Sequence, residues 1–186
     1  MAQWFLLFLF YSFTGYLLEK LYARIIRSPN QVRKCFLLLP LCPVYGLAMT
    51  AVLLLVPDGT GPAARVLLGG MICTAVEYLV HLFYEKALGV RFWDYSKLRG
   101  HIRGRICPQF AVIWGILSAA AVWWVQPLAA HLAALTPPTA AYVLWLALAA
   151  DCVLTAALLR RSRDPEQLAL GTALAQMRAS SQSSTS

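Results

Sequence analysis

Five apolar blocks, separated by basic or turn-rich segments, dominate this chain. A helix needs about 20 apolar residues to cross the hydrocarbon core of a bilayer. Of the 186 residues, 60% are hydrophobic and only 13% are charged, whereas about a quarter of a soluble domain is charged. We therefore predict an all-α, polytopic transmembrane helical bundle with five spans. The predicted spans are residues 3–26, 35–56, 63–88, 108–130 and 140–159, within a membrane domain of residues 1–161.

The placement of basic residues predicts the orientation of the bundle. Of the 16 Lys and Arg residues, all but Arg65 lie in or beside the loop after span 1, the loop after span 3, or the segment after span 5. Loops rich in Lys and Arg stay in the cytoplasm. We therefore expect the N-terminus outside and the C-terminus in the cytoplasm. Because the net charge of +8 collects between apolar blocks, we expect a lipid bilayer and not a nucleic acid as partner.

Residues 162–186 are predicted to form a cytoplasmic tail. Asp164-Pro165-Glu166-Gln167 matches an N-cap, a proline at the first helical position and a capping-box glutamine. A short surface helix is therefore expected to about Arg178. The Ser/Thr-rich end after it has the composition of a disordered segment.

Prolines interrupt span 2 early, in the segment Leu39–Gly46. Pro40 and Pro43 each remove a backbone donor and disfavour a continuous helix. Irregular backbone at membrane depth survives only where protein packs around it. We therefore predict an irregular entry segment packed against other helices, with Tyr45 and Gly46 at its end, and with Gly46 permitting a close helix approach.

Glu77 is the acidic residue nearest the centre of span 3. An ionised side chain at that depth costs about 2.5–3.5 kcal/mol unless it is paired or hydrated. Two interpretations remain open from the sequence. Glu77 is either a structural lock, hydrogen-bonded to a tyrosine, a backbone break or Asp151 of span 5, or it belongs to a polar path through the bundle.

Glu77, His81 and Glu85 follow one another at steps of four and so share one helix face. That spacing is compatible with metal ligands or a proton relay, but no His-rich partner element accompanies it. We expect no metal and no cofactor, and an interfacial ion pair of Glu85 with Lys86 or Arg91. The chain also has no P-loop, no G-x-S-x-G and no H-E-x-x-H motif, so we do not expect an enzyme.

Glu19 lies near the end of span 1. It either pairs with Lys20 or Arg24 at the interface or points into the bundle as a polar group.

Asp94 lies between Trp93 and Tyr95 in the basic loop after span 3. It either caps a turn and pairs with Arg103 or Arg105, or belongs to a loop that folds back and plugs the cytoplasmic mouth of the bundle.

Several short runs are shared with a known family. They are PLCPVYG at 40–46, Glu77-Tyr78, Glu85 followed by FWDYS at 92–96, and GRIC at 104–107. In these runs, over residues 4–130, the chain resembles the CmpB-like family of small bacterial membrane proteins, labelled as ABC-transporter type IV permeases.

The resemblance implies a permease-like subunit in the bacterial cytoplasmic membrane. Its substrate would be unknown, and it would work in a homo- or hetero-oligomer with a separate ATPase subunit. The alternative is a non-transporting membrane factor with a role in assembly or regulation, in which the acids and aromatics are structural.

Overall fold

The computed structural model describes residues 1–25 and 36–162, and these are helical apart from their connections. Within that part no strand forms, and Ile102 and Ile106 make an isolated β-bridge. The predicted tail helix and disordered end lie outside the described residues. The helices are α1 (Ala2–Ile25), α2 (Pro43–Leu55), α3 (Pro62–Phe83), α4 (Pro108–Ala120), α5 (Gln126–Leu135) and α6 (Pro138–Ser162).

Three continuous helical segments are long and apolar enough to cross a bilayer. They are Pro62–Leu88, Pro108–Leu135 and Pro138–Arg161. α1 has 24 residues, but polar side chains, Glu19 among them, interrupt its apolar sequence. α2 has 13 residues, about 20 Å at the helical rise per residue, which is shorter than a bilayer core of about 30 Å.

The helix predicted for 35–56 begins only at Pro43. Residues 36–42 form bends, and Cys42 before Pro43 has extended backbone angles (φ −116°, ψ 91°). The residue before a proline is disfavoured in the helical region, and proline itself suits the first helical turn. The break is packed against protein, since the Cys42 N–H donates to the Ser12 carbonyl at 2.8 Å.

Of the three apolar clusters in the described part of the chain, two lie where helix ends meet. The first unites the start of α1 with α2, α5 and the start of α6: Leu6, Leu7, Tyr11, Met49, Ala129, Ala133 and Ala141. The second unites the end of α3, the following loop and the end of α6: Val80, Tyr84, Leu88, Val90, Phe92 and Leu159. The loop at 89–107 and the end of α6 therefore lie at the same end of the bundle, as the charge pattern requires.

Small residues let two helix pairs approach closely. A Cβ on Gly46 of α2 would lie 2.5 Å from the Phe8 carbonyl oxygen of α1. A Cβ on Gly70 of α3 would lie 2.8 Å from the Ala111 carbonyl oxygen, and Gly115 of α4 abuts the Val66 backbone. Such contacts are typical of membrane helix pairs, which associate through close packing.

Two π-helical turns shape the longest helices. Tyr84–Leu88 extends α3, and Ala121–Val125 joins α4 to α5. The second has a cause in the sequence, because Pro127 has no N–H to donate and its ring would clash with the carbonyl four residues earlier. The helix widens there, and the Gln126 N–H donates to the Ala121 carbonyl, five residues back. The helix predicted to end at residue 130 therefore continues to Leu135.

Candidate functional site

Glu77 is buried where α3, α4 and the loop at 89–107 meet. Only 5% of its surface is exposed. Its Oε1 accepts a hydrogen bond from the Tyr95 hydroxyl at 2.8 Å, and its Oε2 accepts one from the Trp114 indole N–H at 3.0 Å. Both donors are neutral, so the carboxylate is oriented without receiving an opposite charge. Of the partners considered from the sequence, the tyrosine is present, and Asp151 binds elsewhere.

The loop at 89–107 folds back to bring Tyr95 to Glu77. The Tyr95 N–H donates to the Gly104 carbonyl at 2.8 Å, and its ring stacks on Phe110 at 4.7 Å between centroids. Gly100 and Gly104 have φ of 75° and 72°, a left-handed conformation that glycine adopts without strain. Burial raises the pKa of Tyr95 well above its usual range, and Glu77 raises it further, so Tyr95 remains a proton donor.

Glu19 forms a second acidic group at the same end of the bundle. Its Oε1 accepts a hydrogen bond from the Tyr45 hydroxyl at 2.9 Å. Its neighbour Lys20 is exposed and instead lies over the Tyr16 ring, 5.1 Å from the centroid. The structure therefore places Glu19 toward α2, in the bundle-facing arrangement.

Aromatic rings connect the two acids. Tyr45 meets Trp114 edge to face at 5.4 Å, and Trp114 donates to Glu77. Tyr45 fits here because Gly15 of α1 lies directly against its ring. The irregular start of α2, predicted from its prolines, thus places one aromatic residue between two carboxylates.

The acids and rings line a partly open cavity of about 690 Å³ between α1 to α4, the π-helical turns and the loop at 89–107. Both Glu19 and Glu77 contribute to its wall. No Lys, Arg or His is present among the described residues that line it. The aromatic side chains of the wall are Tyr11, Tyr22, Phe36, Tyr45, Tyr84, Phe92, Trp93, Tyr95, Trp114 and Trp124.

Trp93 anchors the loop to α3. Its indole N–H donates to the Arg105 carbonyl at 3.0 Å, and its own carbonyl lies 3.0 Å from Nε2 of His81. The His81 ring, 2% exposed, also packs edge-on against Trp93 at 5.1 Å. His81 therefore holds the loop, a role that its spacing to Glu77 and Glu85 did not indicate.

Glu85 forms ion pairs with two arginines of the loop. Its Oε2 accepts hydrogen bonds from Arg105 at 2.7 and 3.0 Å, and its Oε1 accepts one from Arg91 at 2.6 Å. Arg105 is 5% exposed, and it also donates to the Tyr78 hydroxyl at 3.2 Å. Of the two partners expected for Glu85, Arg91 is present. The side chain of Lys86 is exposed.

Asp94 lies at the exposed surface of the loop. Its Oδ1 accepts a hydrogen bond from the Ser96 N–H at 2.8 Å, the turn cap considered from the sequence. That bond lowers the pKa of Asp94 below its usual value. Arg105 is bound to Glu85 instead. Arg103 is exposed and adopts a left-handed backbone conformation at φ 52°, uncommon for a residue with a side chain.

Asp151 of α6 binds the irregular segment before α2. Its Oδ1 and Oδ2 accept hydrogen bonds from the backbone N–H groups of Leu38 and Leu39 at 3.2 and 3.0 Å. Thr155 also donates to Oδ1 at 3.2 Å. Near Pro40 these donors have no helical partner, so the buried carboxylate satisfies them. The structural role that was one interpretation of Glu77 thus belongs to Asp151, which binds the segment before α2.

Trp114 and Trp124 also line the cavity, although neither was among the site residues predicted from the sequence. The available signal was the small-residue side of α4, because Gly115 and Ser118 face α3 and so turn Trp114 inward. Over residues 1–25 and 36–162, no three His, Cys, Asp or Glu side chains come together as a metal site.

A family model described as "Putative ABC-transporter type IV" matches residues 6–156. The chain belongs to this family. The match confirms the resemblance and extends it beyond residue 130, so that Asp151 and α6 up to residue 156 fall within the family region. No curated protein and no solved structure matches the chain. Family membership and three apolar helices long enough to cross a bilayer identify a helical membrane protein.

Proposed function

We propose that this family member is a permease-like subunit of a transport system in the bacterial cytoplasmic membrane. The observation that carries the proposal is the cavity itself. A volume of about 690 Å³ is in the range of ligand sites, and here it lies between membrane helices with a buried carboxylate in its wall. Intramembrane ionisable groups of this kind commonly mark a substrate or ion pathway.

The proposed topology has five crossings, with the N-terminus outside. α2 is too short to cross alone, but residues 36–42 extend it toward the end of the bundle that carries the loop at 89–107. This arrangement puts that loop and the end of α6 on the cytoplasmic side, in agreement with the basic residues there. Glu19, Tyr95 and Glu77 then face a path entered from the cytoplasm.

Two hydrogen bonds between neutral donors and carboxylates give the path a gate. The hydrogen bond from Tyr95 to Glu77 joins the loop to α3, and the hydrogen bond from Tyr45 to Glu19 joins α2 to α1. A hydrogen bond to a charged group contributes about 1.5–3 kcal/mol net, so a polar substrate group can replace one of them without unfolding the bundle. The loop at 89–107 is the element that would move, with Trp93 and Arg105 as its anchors.

Energy for transport would come from a separate ATPase subunit, because the chain has no P-loop. Five short spans give little room for a complete pathway, so we propose a homo- or hetero-oligomer. Affinity purification in mild detergent tests this assignment. A stoichiometric ATPase is expected to co-purify, and its activity in nanodiscs should fall when Glu77→Gln replaces the wild-type chain.

The matched control is Asp58→Asn, which removes the same charge from an exposed turn. It should leave ATPase activity unchanged at equal protein levels. Unchanged activity in Glu77→Gln would remove Glu77 from the mechanism. Absence of an ATPase, with an envelope-assembly enzyme in its place, would contradict the transport role.

A non-transporting membrane factor is the second candidate. The observation in its favour is that Glu85 and Asp151 are fully engaged in holding the loop and the irregular segment. In that case the exposed basic side chains Arg99 and Arg103 would dock a partner. The same purification separates the two candidates by the identity of the co-purified protein.

A further inference from the structure

The cavity combines two features that together select one ligand charge. Its wall carries the carboxylates of Glu19 and Glu77, and its aromatic lining includes Tyr45, Trp93 and Trp114. Among the described lining residues none is basic. An anionic ligand would therefore meet two acidic groups and no basic side chain from the described residues. A cationic ligand would meet two acidic groups that can pair with it.

The hydrogen bonds at these acids orient them, but none of them comes from a cationic side chain. Glu77 accepts from a phenol and an indole, and Glu19 accepts from a phenol. Glu85, outside the cavity, shows the contrast, because Arg91 and Arg105 both bind it. A charge on the buried Glu77 carboxyl is costly without a counter-ion, whereas Glu19 is partly exposed to solvent. No described basic residue lines the cavity, so a bound cation would supply the counter-charge for these acids.

The aromatic rings favour an organic cation over a metal ion. Faces of Trp and Tyr attract ammonium groups within about 6 Å, most strongly where water is excluded. A small inorganic cation needs several oxygen ligands at short range, and no three-residue metal group forms among the described residues. A volume of about 690 Å³ also exceeds what a single bare ion needs.

We propose that this cavity binds a small organic monocation, a quaternary ammonium or protonated amine with an apolar body. The charged nitrogen lies near Glu77 and Glu19, against Trp114 and Tyr45, and the apolar body occupies the aromatic part of the wall. The proposal deepens the proposed function by naming its substrate class. It rests on that function only for the movement of the cation across the membrane, because binding requires no transport.

The test is isothermal titration calorimetry of the chain in lipid nanodiscs, with empty nanodiscs as the blank. Phenyltrimethylammonium is the probe, and benzenesulfonate is an anion of similar size. The cation is expected to bind saturably and the anion not to bind. Equal binding of both, or binding of neither, would overturn the cation site.

Two substitutions test whether the cation binds in this cavity. Glu77→Gln and Glu19→Gln are each expected to weaken phenyltrimethylammonium binding about tenfold or more. Asp58→Asn, which removes an equal charge from the turn at 57–62, should bind as wild type does. Thermal unfolding and gel-filtration profiles of each variant identify misfolded samples, and only folded variants are compared. Unchanged affinity in both folded Glu variants would overturn the proposal.

Failure of the proposal is distinguishable from failure of the proposed function. Saturable binding without any co-purified ATPase would support the cation site while contradicting transport. An ATPase-bound complex that binds no phenyltrimethylammonium would support transport and contradict the substrate class. If the Glu19 variant alone folds, its affinity still tests the site, because Glu19 lies on a different helix from Glu77.

Discussion

At the scale of single residues, the acids of this chain differ by the charge of their partners. Glu85 binds two guanidinium groups, Asp151 binds backbone N–H groups, and Glu77 and Glu19 bind neutral aromatic donors. The first two satisfy needs of the fold itself. The last two lie in the wall of a cavity, without a basic partner among the described residues that line it.

Removing the Tyr95 hydroxyl tests the bond between the loop and Glu77. In Tyr95→Phe, Glu77 loses one of its two donors while the ring still stacks on Phe110. We expect a loss of about 1–3 kcal/mol in the free energy of unfolding, measured by SDS titration in mixed micelles. Tyr142→Phe removes an exposed hydroxyl on α6 and should change it little. Equal effects of both substitutions would contradict the prediction.

Removing the charge of Asp151 tests the lock on the irregular segment. Asn keeps the shape but offers one acceptor oxygen where Asp151 uses two for Leu38 and Leu39. We expect Asp151→Asn to lose about 1–3 kcal/mol of unfolding free energy, and to increase amide hydrogen exchange at 36–42. Asp58→Asn is the control for the charge change. Wild-type exchange at 36–42 in the Asp151 variant would show that the segment is held by other contacts.

At the scale of elements, two devices bring the site together: close glycine contacts between helices and the folded loop at 89–107. The glycine contacts set the distance between α3 and α4 and so place Trp114 beside Glu77. The loop then closes one side of the cavity with Trp93 and Tyr95. The glycine contacts exist only between helices, whereas the loop is held by its own hydrogen bonds and by contacts to α3 and α4.

A methyl group at the crossing of α3 and α4 should separate them. In Gly115→Ala the new Cβ meets the Val66 carbonyl, a backbone atom that cannot rotate away. Overpacking of this kind should lower the free energy of unfolding by about 1–3 kcal/mol, as measured by SDS titration. Gly61→Ala is the control, since nothing lies within 4 Å of its Cβ position and its φ is ordinary at −61°. A larger loss in the control would contradict close packing at Gly115.

The guanidinium of Arg105 should determine how firmly the loop is held. In Arg105→Gln, Glu85 retains Arg91, but both bonds from Arg105 to Glu85 and the bond to Tyr78 are lost. We expect amide exchange across 91–107 to accelerate about tenfold, as a loss of about 1.4 kcal/mol would produce. Arg103→Gln, at an exposed position, should exchange as wild type does. Wild-type exchange in both variants would show that other contacts hold the loop.

At the scale of the whole molecule, the positions of the helix ends agree with the one-sided distribution of basic residues. Both place the loop at 89–107 and the end of α6 together, and the turn at 57–62 at the opposite end. The cavity belongs to this arrangement, since its wall comes from four helices and the loop.

Single cysteines in a chain whose five native cysteines have been replaced test the proposed topology. Asp58→Cys should react with a membrane-impermeant maleimide on intact spheroplasts, because the turn at 57–62 faces outward. Asp94→Cys should react only after permeabilisation. Labelling of Asp94→Cys on intact spheroplasts would reverse the orientation, and labelling of both would rule out five crossings.

The sequence by itself determined the helical membrane class, the family, the break before α2 and the grouping of basic ends. These follow from local composition, from proline's missing donor and from short runs of residues. Only the tertiary structure determined which acidic residue has a structural role and which one lines the cavity. Asp151, and not Glu77, locks the broken backbone, and Trp114 and His81 acquire partners that spacing along one helix did not reveal. A carboxylate's role depends on the charge of its neighbours in space, and those neighbours come from elements far apart in the chain.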